Sequence, residues 1–345
     1  MRNAKARLIP IDLLKILFAA LIFMRHVSTM GGVDWHSLNS FALGSTTPVM
    51  TGFFMLSGFA LFFQHGDSSI FREGGLGKYY KKRLIGLMPL YLFVHVVYLL
   101  YYSYDMKDAL RLMPVELMGM QTWYNSLFGV LHNGGTWFVS CLLFCYFVYP
   151  LLQELLIPMK LTGRVTVFLL IGFFSVYSQF VISWYGCSSV YSDPLFRFLE
   201  FGTGAALCSI RECFNNERTA LWNGISLAAS FAALVFLYRA ILRGTWYLFL
   251  PLLCVLTFSA AEIIFLNGRN CRLIKYLSSL AYAFFIMQCI LWNQFYSLLA
   301  RFPLFEINRY RFCLAFGLLF VESVLVHEIF EKPVQRILKK YLLKS

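Results

Sequence analysis

Lys15 and His26 stand apart from their surroundings: both lie in one apolar stretch, residues 8–30. Ionisable groups inside an apolar span are costly and usually functional. Eleven positions separate them, which on an α-helix is only about 20° around the axis and roughly 16 Å along it. One helix face therefore carries a cation toward one end and an imidazole toward the other. A cation suits a phosphate or carboxylate, and a neutral imidazole suits a general base. The structural alternative is that Lys15 snorkels to an interface and His26 bonds a neighbouring helix, and the spacing alone does not choose between them. Asp12, three residues before Lys15, is placed to pair with it. Asp12 lies about 21 Å along the helix from His26 and cannot orient it.

Other polar groups in apolar surroundings rank below this pair. Arg197 and Glu200 are spaced i,i+3 and read as an intramembrane ion pair rather than substrate ligands. Glu322 sits in the middle of an apolar run and needs a partner or a proton; it is a candidate to orient His26. Ser57, followed by Gly58, could donate to an oxyanion, although a Ser-Gly step in an apolar helix more often marks close packing. Trp137 could stack on a sugar or adenine, or simply sit at an interface. Lys78, Lys81, Lys82 and Arg83 gather before an apolar segment, with Arg83 nearest to it. His36, His65, His95, His132 and His327 have no spaced partner, and no role follows for them. Nine cysteines form no CxxC pair and show no zinc spacing. They read as small apolar residues, and no metal is expected.

The elements that must position these groups follow from composition. Of 345 residues, 59% are hydrophobic and 14% charged, with a mean hydropathy of +0.66. A soluble domain is about 25% charged, so this chain lacks the polar surface to cover a water-soluble particle. That excludes a soluble enzyme, a disordered chain and a nucleic-acid-binding domain. The pattern predicts an all-α polytopic membrane protein, one domain over 1–345, with about ten transmembrane helices: 8–30, 46–66, 84–104, 136–158, 165–184, 194–210, 219–239, 246–266, 277–300 and 310–330. A further apolar stretch, 114–131, is expected to lie in the interface or re-enter the bilayer. The basic N-terminus is not read as a cleaved leader, because charged residues interrupt the apolar run and no A-x-A-like site follows. Twenty Lys and Arg fall on the connections sharing a side with the N-terminus and seven on the opposite side. The positive-inside bias therefore predicts both termini in the cytoplasm. The net charge of +13 is accounted for by that bias. The C-terminal tail reads as a basic amphipathic stretch on the inner leaflet.

The motifs, taken in order, resemble the acyltransferase 3 family. Asp12, Lys15 and His26 resemble its Asp-x-x-Arg/Lys signature with a His eleven positions on. Phe53-Phe54-Met55-Leu56-Ser57-Gly58-Phe59 is similar to its FFxxSGF. Lys82-Arg83 followed by Pro89-Leu90-Tyr91 resembles its basic pair and P-x-Y. Thr136-Trp137-Phe138 with Ser140, Tyr146 and Pro150 resembles its W-F…Y…P span. Ala281-Tyr282-Ala283-Phe284-Phe285 is similar to its SYxxYLxH element, and Glu331-Lys332-Pro333 matches its E-x-P. There are departures. Gly86 stands where the family often has a second Arg, and Ala281 and Gln288 replace the Ser and His of SYxxYLxH.

The resemblance implies a membrane-bound O-acetyltransferase of bacterial surface polysaccharides in the inner (plasma) membrane. His26 would be the catalytic base. Lys15, Arg83 and Lys82 would hold the donor, with Asp12, Ser57, Trp137, Arg197, Glu200 and Glu322 in support. No bound cofactor is expected; acetyl-CoA is a co-substrate. The partners implied are acyl-CoA, a glycan or lipid-linked sugar acceptor and the lipid bilayer. The chemistry is coherent: acyl transfer from a thioester to a hydroxyl needs a base for the hydroxyl proton and donors for the oxyanion. A polyanionic cytoplasmic donor would meet the basic 67–83 connection. The rivals are a transporter or flippase of a glycan or organic anion, which should show paired half-sequences with broken spans, and a catalytically silent scaffold.

Overall fold

A computed structural model of the chain describes residues 7–66, 68–72, 75–101, 106–123, 134–185, 190–214, 219–263, 271–288 and 290–343. Among the described residues the structure is all-α, without strands. In chain order the helices are α1 (Ile9–Thr29), α2 (Asn39–Gly44), α3 (Thr46–His65), α4 (Gly75–Tyr101), α5 (Met106–Leu117), α6 (Trp137–Leu156), α7 (Leu161–Tyr185), α8 (Pro194–Glu212), α9 (Ala220–Arg243), α10 (Phe249–Glu262), α11 (Arg272–Met287), α12 (Leu291–Arg301), α13 (Asn308–Leu325) and α14 (Lys332–Leu342). Their ends follow from local chemistry. Asp193 caps α8, accepting from Leu195 N at 2.8 Å, with Pro194 in the first turn. Thr219 caps α9, and Gly244 closes it in the left-handed region at φ +65°.

Five helical stretches are long and apolar enough to cross a membrane: Thr46–His65, Trp137–Leu156, Leu161–Phe180, Ala220–Arg243 and the continuous Asn308–Leu342. The other expected spans overlap α1, α4, α8, α10 and α11–α12, with 102–104, 264–266 and 289 outside the described residues. Charge interrupts α1 and α8, and α10 is short. The segment expected as one helix over 277–300 is two: α11 ends at Met287 and α12 begins at Leu291. No Pro or Gly stands there, so hydropathy gave no warning of the break. In the stretch 114–131, the structure turns at Gln121–Trp123 with Gln121 and Thr122 buried; residues 124–131 lie outside the described residues.

The core is organised on the crossing of α3 and α8, where two glycines let the backbones touch. A Cβ at Gly58 would lie 1.9 Å from Phe201 O, and one at Gly204 would lie 1.9 Å from Met55 O. Gly58 therefore serves packing, as the Ser-Gly step suggested. Against this pair pack α6, α7, α10 and α1. The outward side of α7 exposes Leu169, Phe173, Phe174 and Phe180, an apolar band suited to lipid.

Candidate active site

Helix α1 is continuous from Ile9 to Thr29, so Lys15 and His26 share one helix at the predicted spacing. It packs chiefly on α11. Ser278 Oγ donates to Asp12 Oδ1 at 2.7 Å near one end, and His26 Nδ1 meets Gln288 Oε1 at 2.7 Å near the other. The two helices therefore run in the same direction, and α11 supplies a partner at each end of the α1 face.

At the His26 end, the amide oxygen of Gln288 accepts from Nδ1–H, which leaves the Nε2 lone pair to take a proton. Gln288 is fully buried, and its Nε2 has no hydrogen-bond partner among the described residues. The buried indole Nε1 of Trp292, one turn along, likewise lacks one. Two N–H donors thus remain beside the chain segment that faces His26. The segment after α1 is fastened over this end: Asn308 bonds Asp34, Arg311 Nη1 donates to Gly32 O at 3.1 Å, and Tyr296 Oη donates to Met30 O. Glu322 is not the group that orients His26. That place belongs to Gln288, and Glu322 Oε2 is buried without a partner.

At the other end, Asp12 pairs with Arg7, not with Lys15 as the i,i+3 spacing predicted. Arg7 precedes the first turn of α1 and folds over it, and Ser278 completes the carboxylate's contacts. Lys15 makes no ion pair at contact distance among the described residues; instead it lines two cavities. One, of about 650 Å³, is polar and bounded by Arg7, Asp12, Lys15, Gln64 and His65 with apolar neighbours. The other, of about 390 Å³, runs between apolar walls such as Phe53, Phe138 and Phe285 and carries Ser57, Ser278, Ser279, His327 and Glu331. Ser57 reaches this cavity, although its hydroxyl donates to Phe53 O at 2.8 Å.

Arg83 does not join Lys15 in either cavity. Its guanidinium lies over the rings of Tyr79 and Tyr146, at 5.6 and 5.7 Å, and its Nη2 is 3.4 Å from His65 Nε2. It is linked to the polar cavity only through His65. Lys82 is exposed. Gly86, one turn beyond Arg83, does line the smaller cavity, and a Cβ there would meet nothing within 4 Å. Arg197 and Glu200 form the expected ion pair at 2.6 Å, both buried. Trp137 is buried against this pair, its ring 5.4 Å from the Arg197 guanidinium. It is taken up by packing rather than presented to a ligand.

A family model described as an acyltransferase domain matches residues 9–328, nearly the whole chain. The chain belongs to the acyltransferase 3 family. Comparison with curated proteins and with solved structures returns no match. Membership places the protein among the membrane acyltransferases, and its apolar helices accord with a multi-pass arrangement. Two functional candidates escaped the sequence reading. In the sequence Gln288 is only a departure from the family's His. Nothing in the sequence assigns His327 a role, although Glu331 stands four residues on, the spacing of neighbours on one helix face.

Proposed function

We propose that this acyltransferase takes an acyl group, acetyl in the first instance, from cytoplasmic acyl-CoA and delivers it to a hydroxyl of a cell-surface or lipid-linked glycan. The observation that carries the reading is the α1 face: Lys15 opens on two cavities at one end, and His26, oriented by Gln288, stands roughly 16 Å away at the other. In this reading the polyanionic part of the donor sits at Lys15 and Arg7, with Arg83 behind His65 adding positive charge. His26 Nε2 takes the acceptor's hydroxyl proton. Gln288 Nε2 and Trp292 Nε1 are the available donors for the oxyanion. In this reading the protein lies in a bacterial inner membrane, with about ten transmembrane helices and both termini in the cytoplasm.

Membranes carrying the protein, given labelled acetyl-CoA, should label a glycan, and membranes without it should not. A wild-type protein that labels no glycan sinks the reading. In the same assay, Lys15→Ala should raise the donor KM by about tenfold or more, the weight of one charge-assisted contact, and leave the acceptor KM unchanged. Lys15→Arg should retain most donor affinity. Arg83→Ala should raise the donor KM less, since its guanidinium lines neither cavity and meets their walls only at His65 and the Tyr146 ring. A shift confined to the acceptor KM would put the donor elsewhere.

The topology has its own check. Cysteines introduced in the segment 68–72 and in α14 should resist an impermeant thiol reagent in intact cells, and cysteines in 302–307 should react. Labelling of 68–72 from outside would reverse the donor side.

A further inference from the structure

The smaller cavity holds a second imidazole that the His26 chemistry does not use. The run Val326–Glu331 is a π-turn between α13 and α14, a feature that often marks functional sites. It turns two buried side chains, His327 and Glu331, onto the cavity wall. His327 Nδ1 is 2.6 Å from Glu331 Oε2, and His327 Nε2 is 3.4 Å from Ser279 Oγ on α11. Glu331 Oε1 also accepts from Gln335 Nε2 at 3.1 Å, which holds the carboxylate in place. A hydroxyl, an imidazole and a carboxylate thus stand in the order of a nucleophile, its base and the group that orients the base. Ser279 Oγ also bonds Tyr276 O at 2.7 Å; the longer contact to His327 is of the loose kind found in sites without substrate. Unlike Ser278, which is tied to Asp12, Ser279 is exposed. Lys15 is the one Lys or Arg among the residues lining this cavity.

We propose that Ser279 is an acyl-accepting nucleophile, activated by His327 and Glu331, and that acyl-CoA is opened in this cavity. The proposal rests on the reading of the protein as an acyl-CoA-dependent transferase. Ser279 Oγ attacks the thioester carbonyl, and its proton passes to His327 Nε2. The resulting oxyanion faces the positive charge of Lys15. As the carbon–sulfur bond breaks, His327 gives the proton to the departing sulfur, and CoA leaves as the free thiol. The acyl group remains as an ester on Ser279. Water, or a small hydroxyl compound other than the glycan, entering the same cavity then attacks the ester; its proton passes through His327 to Ser279 Oγ, which restores the serine and releases the acyl group as the acid or a new ester. Ser279 precedes Gln288 by roughly 13 Å of helix, so this centre is separate from His26.

The test uses the full-length protein in detergent with radiolabelled acetyl-CoA and no glycan, quenched in acid and digested. Label should appear on the peptide containing Ser279 and be absent in Ser279→Ala. Ser279→Cys should keep the label in a form released by neutral hydroxylamine, as a thioester is and a serine ester is not; this variant also shows that the site still folds. His327→Gln should slow both labelling and CoA thiol release at least tenfold. Glycan labelling by wild-type membranes is measured in parallel. If the glycan is labelled while Ser279 is not, or if Ser279→Ala releases CoA at the wild-type rate, the acyl-serine is overturned and the functional reading stands. If neither glycan nor protein is labelled, both fall.

Discussion

His26→Ala is expected to lower acyl transfer to the glycan by about 10²–10⁴-fold, the usual worth of a positioned base, in a protein that still inserts and folds. The side chain is half-buried, and its hydrogen-bond partner is Gln288; the loss of this ring is felt first in the chemistry. His26→Gln should fail equally, because an amide can hydrogen-bond but cannot take up a proton at neutral pH. Gln288 supplies the internal control. Gln288→Leu removes the acceptor that holds the proton on Nδ1, so imidazoles with the wrong tautomer or orientation accumulate. The expected result is a smaller fall, carried in kcat with the donor KM unchanged, since Gln288 lines neither of the Lys15 cavities. Gln288→His should restore part of the rate, because an imidazole nitrogen can accept the same Nδ1–H. The measurement is glycan acylation by membranes adjusted to equal protein, with saturating acetyl-CoA. A well-expressed His26→Ala variant that works at near-normal rate would remove His26 from the mechanism.

How much of this was legible in the sequence depends on the range of the interaction. Lys15 and His26 could be placed on one face because both belong to a single uninterrupted helix, where period alone sets direction. The partner of His26 could not, because Gln288 is 262 positions away and its meeting with α1 is a product of helix packing. Asp12 shows that local spacing can also mislead. The i,i+3 geometry favoured Lys15, but Arg7, in the chain before α1, was free to fold back onto the carboxylate. His327 is the opposite case: Glu331 at i,i+4 was visible, yet the pair acquires a chemical meaning only beside Ser279, 48 positions earlier on another helix. Hydropathy found where the helices lie but not where the 277–300 segment breaks, since Gln288 and Leu291 are equally compatible with a continuous helix.

Arg197→Ala is expected to be among the most destabilising single substitutions in the chain. Its guanidinium donates through Nη1 to Glu200 Oε2 at 2.6 Å and through Nε to Tyr191 O at 2.8 Å. The rings of Phe54, Trp137 and Tyr191 surround it at 5.1–5.4 Å. Glu200 Oε1 in turn accepts from Thr51 Oγ1 at 2.8 Å, which ties α8 to α3 beside their glycine crossing. Removing the cation leaves a buried carboxylate with one hydroxyl for company. Breaking such a pair costs about 3–5 kcal/mol. Arg197→Lys should not rescue it, since a point charge cannot bond Glu200 and Tyr191 O in the same fork. The double substitution Arg197→Met with Glu200→Leu should recover most of the loss, because a buried pair replaced by apolar groups of similar size is often close to neutral. Thermal unfolding in detergent of the wild type, Arg197→Met alone, Glu200→Leu alone and the double variant closes the cycle. The expected coupling is large and makes the double variant better than the sum of the singles. A substrate role for Arg197 predicts a different pattern, with single variants that melt like the wild type but transfer no acyl group and a double variant no better than either. The geometry favours the first pattern: the planar cation is already enclosed by three rings, a carboxylate and a carbonyl, and those contacts leave little of it to offer a ligand.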